Sequence, residues 1–271
     1  MMKNFAVIGD PIAHSLSPVL HQEIYRQLGI DASFEKIHIP PKDLHSFMNN
    51  NGLDGINVTI PHKQSVIPYL DELDESAQTI GAVNCVHNGK GYNTDWIGFS
   101  MAMELNDVEL DGKNCVILGA GGAARAIVYA LIQSNVNSIS IVNRTKEKAE
   151  DLKQWAEKLS DIRVNTLSHK YMNTLSHDNL IINCTPLGMW PNTEVIPEFE
   201  IQKDQVLVDT IYNPLETKWL KAGKGKGVKT ISGFDMFIAQ GLASADIWFG
   251  EKISEKIKLE QIKKGLKSEL C

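Results

Sequence analysis

Cysteine is scarce in this chain of 271 residues: four, at positions 85, 115, 184 and 271, separated by 30, 69 and 87 residues. That spacing matches no zinc pattern and is too thin for a disulfide scaffold, so no metal ligand set is expected. Long hydrophobic runs are missing as well. Phe5–Ile8 is only four residues long and is closed by Gly9 and Asp10, whereas a secretory core needs about 7–15 apolar residues. The apolar stretch from Cys115 to Ile132 is interrupted by glycines and by Arg125, which argues for strand, turn and helix rather than a membrane span. Repeats and low-complexity tracts are absent. Positive charge is not in excess: 27 Lys and Arg face 33 Asp and Glu, a net charge of −6, a poor balance for a nucleic-acid partner. The one dense basic stretch is Lys218, Lys221, Lys224, Lys226 and Lys229, interleaved with Gly223, Gly225 and Gly227; it reads as a solvated turn between a helix and a strand. What is present is an ordinary globular composition, 43% hydrophobic and 22% charged, long enough for one large core or two ordinary ones. Reduced thiols in a cytoplasm are the expected setting.

Apolar and helical stretches alternate through the chain. The first series predicts strands at Phe5–Ile8, Phe34–Ile39 and Gly55–Thr59, helices at Pro18–Leu28 and Lys42–Asn50, and a hairpin from Cys85–His87 and Tyr92–Asn93. A second series begins near Gly112. It predicts strands at Cys115–Leu118, Ile139–Val142, Leu180–Asn183, Val206–Thr210 and Lys229–Ile231, with helices at Ala123–Ser134 and Lys146–Leu159. This alternation is the mark of an α/β fold, and in the second series of a parallel sheet covered on both faces. Asp235–Phe249 and Ile253–Leu266 read as two closing helices.

The strand ending at Leu118 runs into Gly119-Ala120-Gly121-Gly122-Ala123 and then a helix. Glycines allow a tight turn and close approach to a pyrophosphate, and the helix start offers free N–H groups. The same turn also serves plain strand–helix packing, but the βαβ context favours a nucleotide. In NAD sites an acidic residue about 20 positions beyond the glycines holds the ribose hydroxyls. Asn143-Arg144-Thr145 stands there instead, 21 residues after Gly122, with Lys146 and Lys148 following. A guanidinium suits the 2′-phosphate of NADP; the alternative is a surface arginine at a turn.

The first half carries polar residues where apolar ones would be expected. Ser15-Leu16-Ser17-Pro18 opens a helix, with Ser17 as its N-cap and Pro18 as its first residue; two hydroxyls there would also seat a carboxylate. Asn57 and Thr59 fall on one strand face and Val58 and Ile60 on the other. Lys63 follows Pro61 and, taken alone, reads as an exposed charge. Gly81-Ala82-Val83-Asn84 and Asn93-Thr94-Asp95 add carboxamides and a carboxylate between apolar residues. Asp95 could simply cap the helix beginning near Trp96. His14, His21 and His62 lie nearby at spacings that suit no metal.

In order along almost the whole chain, these motifs resemble the shikimate dehydrogenase family. The resemblance includes Asn183-Cys184-Thr185-Pro186-Leu187-Gly188-Met189, Tyr212-Asn213-Pro214 and Gly233-Phe234-Asp235-Met236 leading to Gln240. It implies an α/β protein of two domains, an N-terminal α/β substrate domain (1–100) and a Rossmann-like parallel-sheet NADP domain (101–234), with C-terminal helices (235–271) returning to the first and the active site in the cleft. The implied reaction is reversible hydride transfer between NADPH and 3-dehydroshikimate, giving shikimate, on the route to aromatic amino acids. Lys63 and Asp95 would be the catalytic pair. Ser15 and Ser17 would hold the substrate carboxylate with Tyr212, while Asn57, Thr59, Asn84, Asp95 and Gln240 would read ring hydroxyls. Gly119, Ala120, Gly121, Gly122 and Ala123 would cradle the pyrophosphate of NADP. Asn143, Arg144, Thr145 and Lys148 would clamp its adenosine end, and Thr185, Met189 and Gly233 would lie near the nicotinamide or its ribose.

Two departures stand out. Lys148 replaces an arginine common in the family, keeping the charge but losing the planar fork, and Gln22 follows His21 where the family commonly has asparagine. The partner implied is a small molecule, without nucleic acid or membrane, and a homodimer is left open. Two other readings compete: a paralogue acting on quinate or an amino-shikimate, and a non-catalytic NADP-binding sensor.

Overall fold

The structure is a computed structural model and describes residues 2–168 and 179–270; the fourth cysteine, Cys271, lies outside them. The chain divides into two compact units, Met1–Ile97 with Ile238–Cys271, and Gly98–Phe237.

The first unit begins with β1 (Lys3–Gly9), α1 (Ser17–Leu28), β2 (Ala32–His38), α2 (Leu44–Asn49), β3 (Gly55–Val58) and α3 (His62–Ser65). β4 (Glu72–Leu73), α4 (Glu75–Ile80), β5 (Cys85–His87) and β6 (Lys90–Tyr92) follow. The strands form one mixed sheet in the order β2-β1-β3-β5-β6-β4. β1 pairs parallel with both β2 and β3, and β5 turns antiparallel against β3. β1 is an unbroken apolar run because both of its faces are covered. Ile8 joins Val58, Val66, Val83 and Ile56 in one core, and Phe5, on the opposite face, stacks on Trp248 with ring centroids 4.7 Å apart.

Two helix starts differ from expectation. α1 begins at Ser17 itself, with Leu16 in the cap position and no side chain capping it. Ser15 takes over part of that task, its Oγ accepting from the Ser17 amide at 3.3 Å. α4 carries a cap that the sequence reading passed over: Asp74 accepts from the Ser76 and Ala77 amides.

α5 (Asp95–Leu105) carries the chain into the second unit, built from β7 (Asn114–Leu118), α6 (Gly122–Gln133), β8 (Ser138–Val142), α7 (Lys146–Glu157), β9 (Arg163–Leu167), β10 (Asn179–Asn183), β11 (Val206–Asp209), α8 (Lys218–Gly225) and β12 (Lys229–Ile231). All its strands are parallel, in the order β12-β11-β10-β7-β8-β9. The strand order therefore reverses between β7 and β10, and in a doubly wound sheet that switch point, at the strands' carboxyl ends, is where ligands bind. β9 was not expected from the sequence; at the sheet edge only Val164 is fully buried, so its apolar pattern is faint.

The basic stretch is not a turn throughout. Lys218, Lys221 and Lys224 lie on α8, which Thr217 caps through the Leu220 amide, while Trp219 and Leu220 are buried. Those two anchors outweigh the poor helix propensity of the glycines, and the lysines form the exposed face. α9 (Gly233–Phe249) follows, and its residues from Ile238 onward belong to the first unit together with α10 (Leu259–Lys267). The expected helix from Ile253 to Leu266 is split: Ile253–Lys256 is a 3₁₀ turn, pinned by Asp246 accepting from both the amide and the hydroxyl of Ser254.

Gly55 sits on β3 where any Cβ would overlap the buried Trp248 indole, itself held by its Nε1–H donating to Val86 O at 3.1 Å. Gly55→Ala should therefore destabilise the protein by about 1–3 kcal/mol, read as a lower urea midpoint; an unchanged midpoint would show that Trp248 moves freely.

Candidate active site

The carboxyl ends of β1 and β3, with the starts of α1, α3 and α5, bring most of the polar residues of the first unit together. Lys63, on α3, places Nζ 2.5 Å from Asp95 Oδ2 at the first residue of α5. Both side chains are largely withdrawn from water, with 24% and 12% exposed. Asn84 holds the other carboxylate oxygen: its Nδ2 donates to Asp95 Oδ1 at 2.9 Å and to Thr94 Oγ1 at 3.0 Å, and lies 3.4 Å from Gln240 Oε1. Its Oδ1 accepts from the Thr94 amide at 2.6 Å, which fixes the amide orientation. Asn93 accepts from the Asp95 amide at 3.1 Å. Asp95 therefore does not cap the helix; it begins α5 with its carboxylate turned to Lys63 and Asn84. The Lys63 carbonyl is in turn fixed by the Val83 amide at 2.7 Å.

Behind this pair lies a buried polar chain. The Thr94 hydroxyl donates to Gln240 O at 2.9 Å and lies 3.2 Å from Ser244 Oγ. Ser244 accepts from Asn57 Nδ2 at 3.0 Å, and the same nitrogen donates to Asn84 O at 3.2 Å. A backbone carbonyl can face only the NH₂ side of an amide, so Asn57 Oδ1 is the atom 3.2 Å from His21 Nε2. His21 must then carry its proton on Nε2. Its ring stacks on Phe34 at 4.3 Å, and Nδ1 has no partner. Complete burial pushes its pKa down to about 3, so the ring is neutral.

Ser17 is one helical turn before His21 on α1 and buried with it. Ser15 Oγ donates to Ser17 Oγ at 3.1 Å, so the two hydroxyls form one pair. Thr59 is half-buried just after β3, with no partner for its hydroxyl among the described residues. Asn57 spends both amide hydrogens on the protein and keeps a single carbonyl lone pair.

In the second unit the glycine turn follows β7. Gly119 has φ +109°, and a Cβ there would meet the Cys184 carbonyl at 3.0 Å; its amide donates to Val142 O at 2.8 Å. α6 then begins with no side-chain cap and no acidic residue in its first turn, and Cβ atoms on Gly121 or Gly122 would point into open space. Ala120 and Ala123 are half-buried in the same turn. Free amides, a dipole end and room for approach are what a dinucleotide pyrophosphate requires.

Beyond β8, Asn143 Nδ2 donates to Thr145 O at 2.8 Å, closing a turn that leaves Arg144, Thr145 and Lys148 exposed. Thr185, after β10, is held by Asn183, whose Oδ1 accepts from its amide at 3.0 Å and its hydroxyl at 2.6 Å. Met189 is 45% exposed. Gly233 is forced by the Thr210 and Ile211 backbone, which any Cβ would overlap. Tyr212 stacks on Phe237 at 4.5 Å, and burial pushes its phenol pKa up.

Within the first unit, Lys63, Asp95, Asn84, Asn57 and Gln240 thus share one hydrogen-bonded cluster, while Ser15 and Ser17 pair with each other. Sequence reasoning missed its supports, Thr94, Ser244 and His21. The histidine could have been suspected as a polar residue on the buried face of α1; the serine lies deep in an apolar helix and gives no signal. Among the described residues no group of three or more His, Cys, Asp or Glu is placed to hold a metal ion, and no helix is long and apolar enough to cross a membrane.

A parallel doubly wound sheet with a glycine turn at its switch point, and a lysine–carboxylate pair on a separate α/β unit, define the class of α/β nicotinamide-dinucleotide dehydrogenases. Residues 7–86 match the model of the shikimate dehydrogenase substrate-binding domain, and residues 100–190 that of shikimate / quinate 5-dehydrogenase. Over 276 residues the chain is 38% identical to the shikimate dehydrogenase (NADP(+)) of Clostridium perfringens, covering 98% of this chain and 99% of that one. A solved shikimate dehydrogenase in complex with NADP+ superposes with a TM-score of 0.89 at 38% identity, covering 100% and 96% of the two chains. A 5-ketofructose reductase of a Gluconobacter strain superposes with a TM-score of 0.90 at 29% identity, covering 99% of each. The chain belongs to the shikimate dehydrogenase family.

The state of His21 has a measurable consequence. In the unfolded chain a histidine takes up a proton near pH 6.5, whereas the folded protein refuses it down to about pH 3. Stability from neutral His21 is complete above pH 6.5 and is lost as pH falls, by about 1.4 kcal/mol per pH unit. Urea unfolding of His21→Gln between pH 6.5 and 4.5 should show a shallower decline than the parent; parallel curves would mean that His21 is protonated in the fold.

Proposed function

We propose that this chain catalyses the NADP-dependent, reversible reduction of 3-dehydroshikimate to shikimate, with Lys63 and Asp95 as its catalytic pair. The observation that carries this reading is the 2.5 Å ion pair, half-buried and steadied by Asn84. Substrate is assigned to the Met1–Ile97 and Ile238–Cys271 unit and NADP to the Gly98–Phe237 unit.

NADPH, when bound, supplies a hydride to the carbonyl carbon, and the electron pair of the C=O bond moves onto oxygen. The Lys63 ammonium faces that growing charge and delivers the proton that makes the hydroxyl. Asp95 orients the ammonium and favours its charged form, and in the reverse direction the neutral Lys63 amine takes back the hydroxyl proton as the hydride leaves. Ser15 and Ser17 seat the ring carboxylate at the start of α1. Thr59, Asn84, Gln240 and the remaining lone pair of Asn57 read the ring hydroxyls. An analogue lacking one of these hydroxyls leaves its buried partner unsatisfied, which is why such sites discriminate. Gly119–Ala123 receive the pyrophosphate, Asn143, Arg144, Thr145 and Lys148 the adenosine phosphate, and Thr185, Met189 and Gly233 the nicotinamide side. A cytoplasmic location accords with thiols that are free and buried at Cys85 and Cys115.

Steady-state rates with shikimate or quinate, each with NADP or NAD, test this directly. Shikimate with NADP should give the highest kcat/KM; a dominant rate on quinate with NAD would replace the reading with that of a quinate enzyme. Lys63→Ala should lower kcat by about 100-fold or more while leaving NADP affinity unchanged. Equal turnover would remove the lysine from the mechanism, and binding of NADP without turnover by the parent protein would favour a sensor.

A further inference from the structure

We propose that Asp209 is a positioning residue of the cofactor site: its carboxylate ties the turn that carries Thr185 to the segment that carries Tyr212. The proposal rests on the reading above that Thr185 lies on the nicotinamide side of that site.

Asp209 ends β11 beside Asn183 at the end of β10, the two being register partners, and both are fully buried. One carboxylate oxygen, Oδ1, accepts from Asn183 Nδ2 at 3.1 Å and from the Ile211 amide at 3.1 Å. The other, Oδ2, accepts from the Thr217 hydroxyl at 2.8 Å. Asn183 relays the tether: its Nδ2 also donates to Leu187 O at 3.2 Å, and its Oδ1 takes both the amide and hydroxyl of Thr185. The Ile211 amide lies immediately before Tyr212, and Thr217 caps α8. One side chain therefore fixes the turn after β10, the segment after β11 and the helix that follows.

Three donors converge on this side chain. The two N–H donors both fall on Oδ1, and the charge on Oδ2 draws the Thr217 hydroxyl in as a donor. An asparagine would present an NH₂ there, so the hydroxyl would have to turn and accept, without charge assistance. The charge has no cationic partner among its interactions, and burial raises its pKa to about 6 against the lowering effect of Ile211, Thr217 and Asn183. A fold that needed only polarity here would gain nothing from carrying a buried, unpaired charge. Protonation at Oδ2 likewise obliges the Thr217 hydroxyl to reverse, and a charge-assisted tether becomes a weaker neutral one. The neighbouring titratable group is Cys184, whose thiol is pushed further up by burial and by the Asp209 charge and so stays neutral. Glu216 and Lys218, which flank Thr217, are exposed and paired outward with Lys224 and Glu194.

The test is the dissociation constant of NADP+ between pH 5 and 8 for the full-length parent, Asp209→Asn, Thr217→Val and Thr185→Val. Asp209→Asn should bind NADP+ about tenfold more weakly than the parent at pH 7.5, the cost of one lost charge-assisted tether. That ratio, in which titration of the cofactor's own phosphate cancels, should fall towards one below pH 6. Thr217→Val removes a donor and should bind less tightly than the parent most clearly between pH 6 and 7, where its carboxyl is protonated and the parent's is not. A constant ratio for Asp209→Asn, or parent-like affinity throughout, contradicts the proposal. If Asp209→Asn does not fold, Thr217→Val decides, and equal affinity across the range overturns it. Thr185→Val separates the two levels. If it leaves NADP+ binding intact, the placement of Thr185 at the cofactor falls and the proposal with it. If it weakens binding while Asp209→Asn does not, only the positioning role fails.

Discussion

The buried polar network of the first unit centres on one ion pair, Lys63 with Asp95. A lysine and an aspartate drawn together in a half-buried place lose hydration that an attractive contact alone does not always recover. The protein meets this by satisfying the carboxylate twice, from Lys63 on one oxygen and from Asn84 on the other. Asn84 is itself locked by the Thr94 amide, and the chain of bonds continues through Ser244 and Asn57 to His21. The amides of Asn84 and Asn57 have a fixed sense and the hydroxyls of Thr94 and Ser244 adjust between them, so the orientation of the pair is supported by the whole network.

The backbone makes this possible by ending strands at the right places. β1 and β3 are parallel neighbours whose carboxyl ends deliver Gly9 and Thr59, and the chain then turns into α3 with Lys63. In the second unit β7 and β10 are neighbours at the switch point, and the close approach of Gly119 to the Cys184 carbonyl joins the turns that follow them. The two sheets differ in composition, mixed in one and wholly parallel in the other, yet both bring polar residues to the ends of buried apolar strands and to the turns and helices beside them. In each unit a rigid core holds its polar side chains at fixed backbone positions, which is how an α/β scaffold separates stability from chemistry.

Much of this was legible in the residues. The strands with unbroken apolar runs, such as Phe5–Ile8 and Cys115–Leu118, announce themselves because burial on both faces leaves no alternation. The glycine turn, and Arg144 in place of a carboxylate at the end of the next strand, pointed to a phosphorylated dinucleotide. Reading Lys63 and Asp95 as partners needed the family resemblance, since 32 residues separate them and each alone passes for a surface charge or a helix cap. β9 and α8 were obscured by weak or contradictory local signals, an edge strand with one fully buried side chain and a helix holding two glycines. Ser244 and Asp209 were out of reach, because their meaning comes entirely from neighbours that the fold brings in from 187 and 26 residues away.

The sharpest measurement of the coupling is a double-mutant cycle in single-turnover hydride transfer, using Lys63→Met, Asp95→Asn and the two combined, each saturated with shikimate and NADP+. If the two side chains act as one unit, the double variant is no slower than Lys63→Met alone, because the second change removes a partner that has already lost its function. Losses that multiply, with the double variant slower by the product of the two single effects, would show that lysine and aspartate act independently and would contradict the ion pair as the working element of the site.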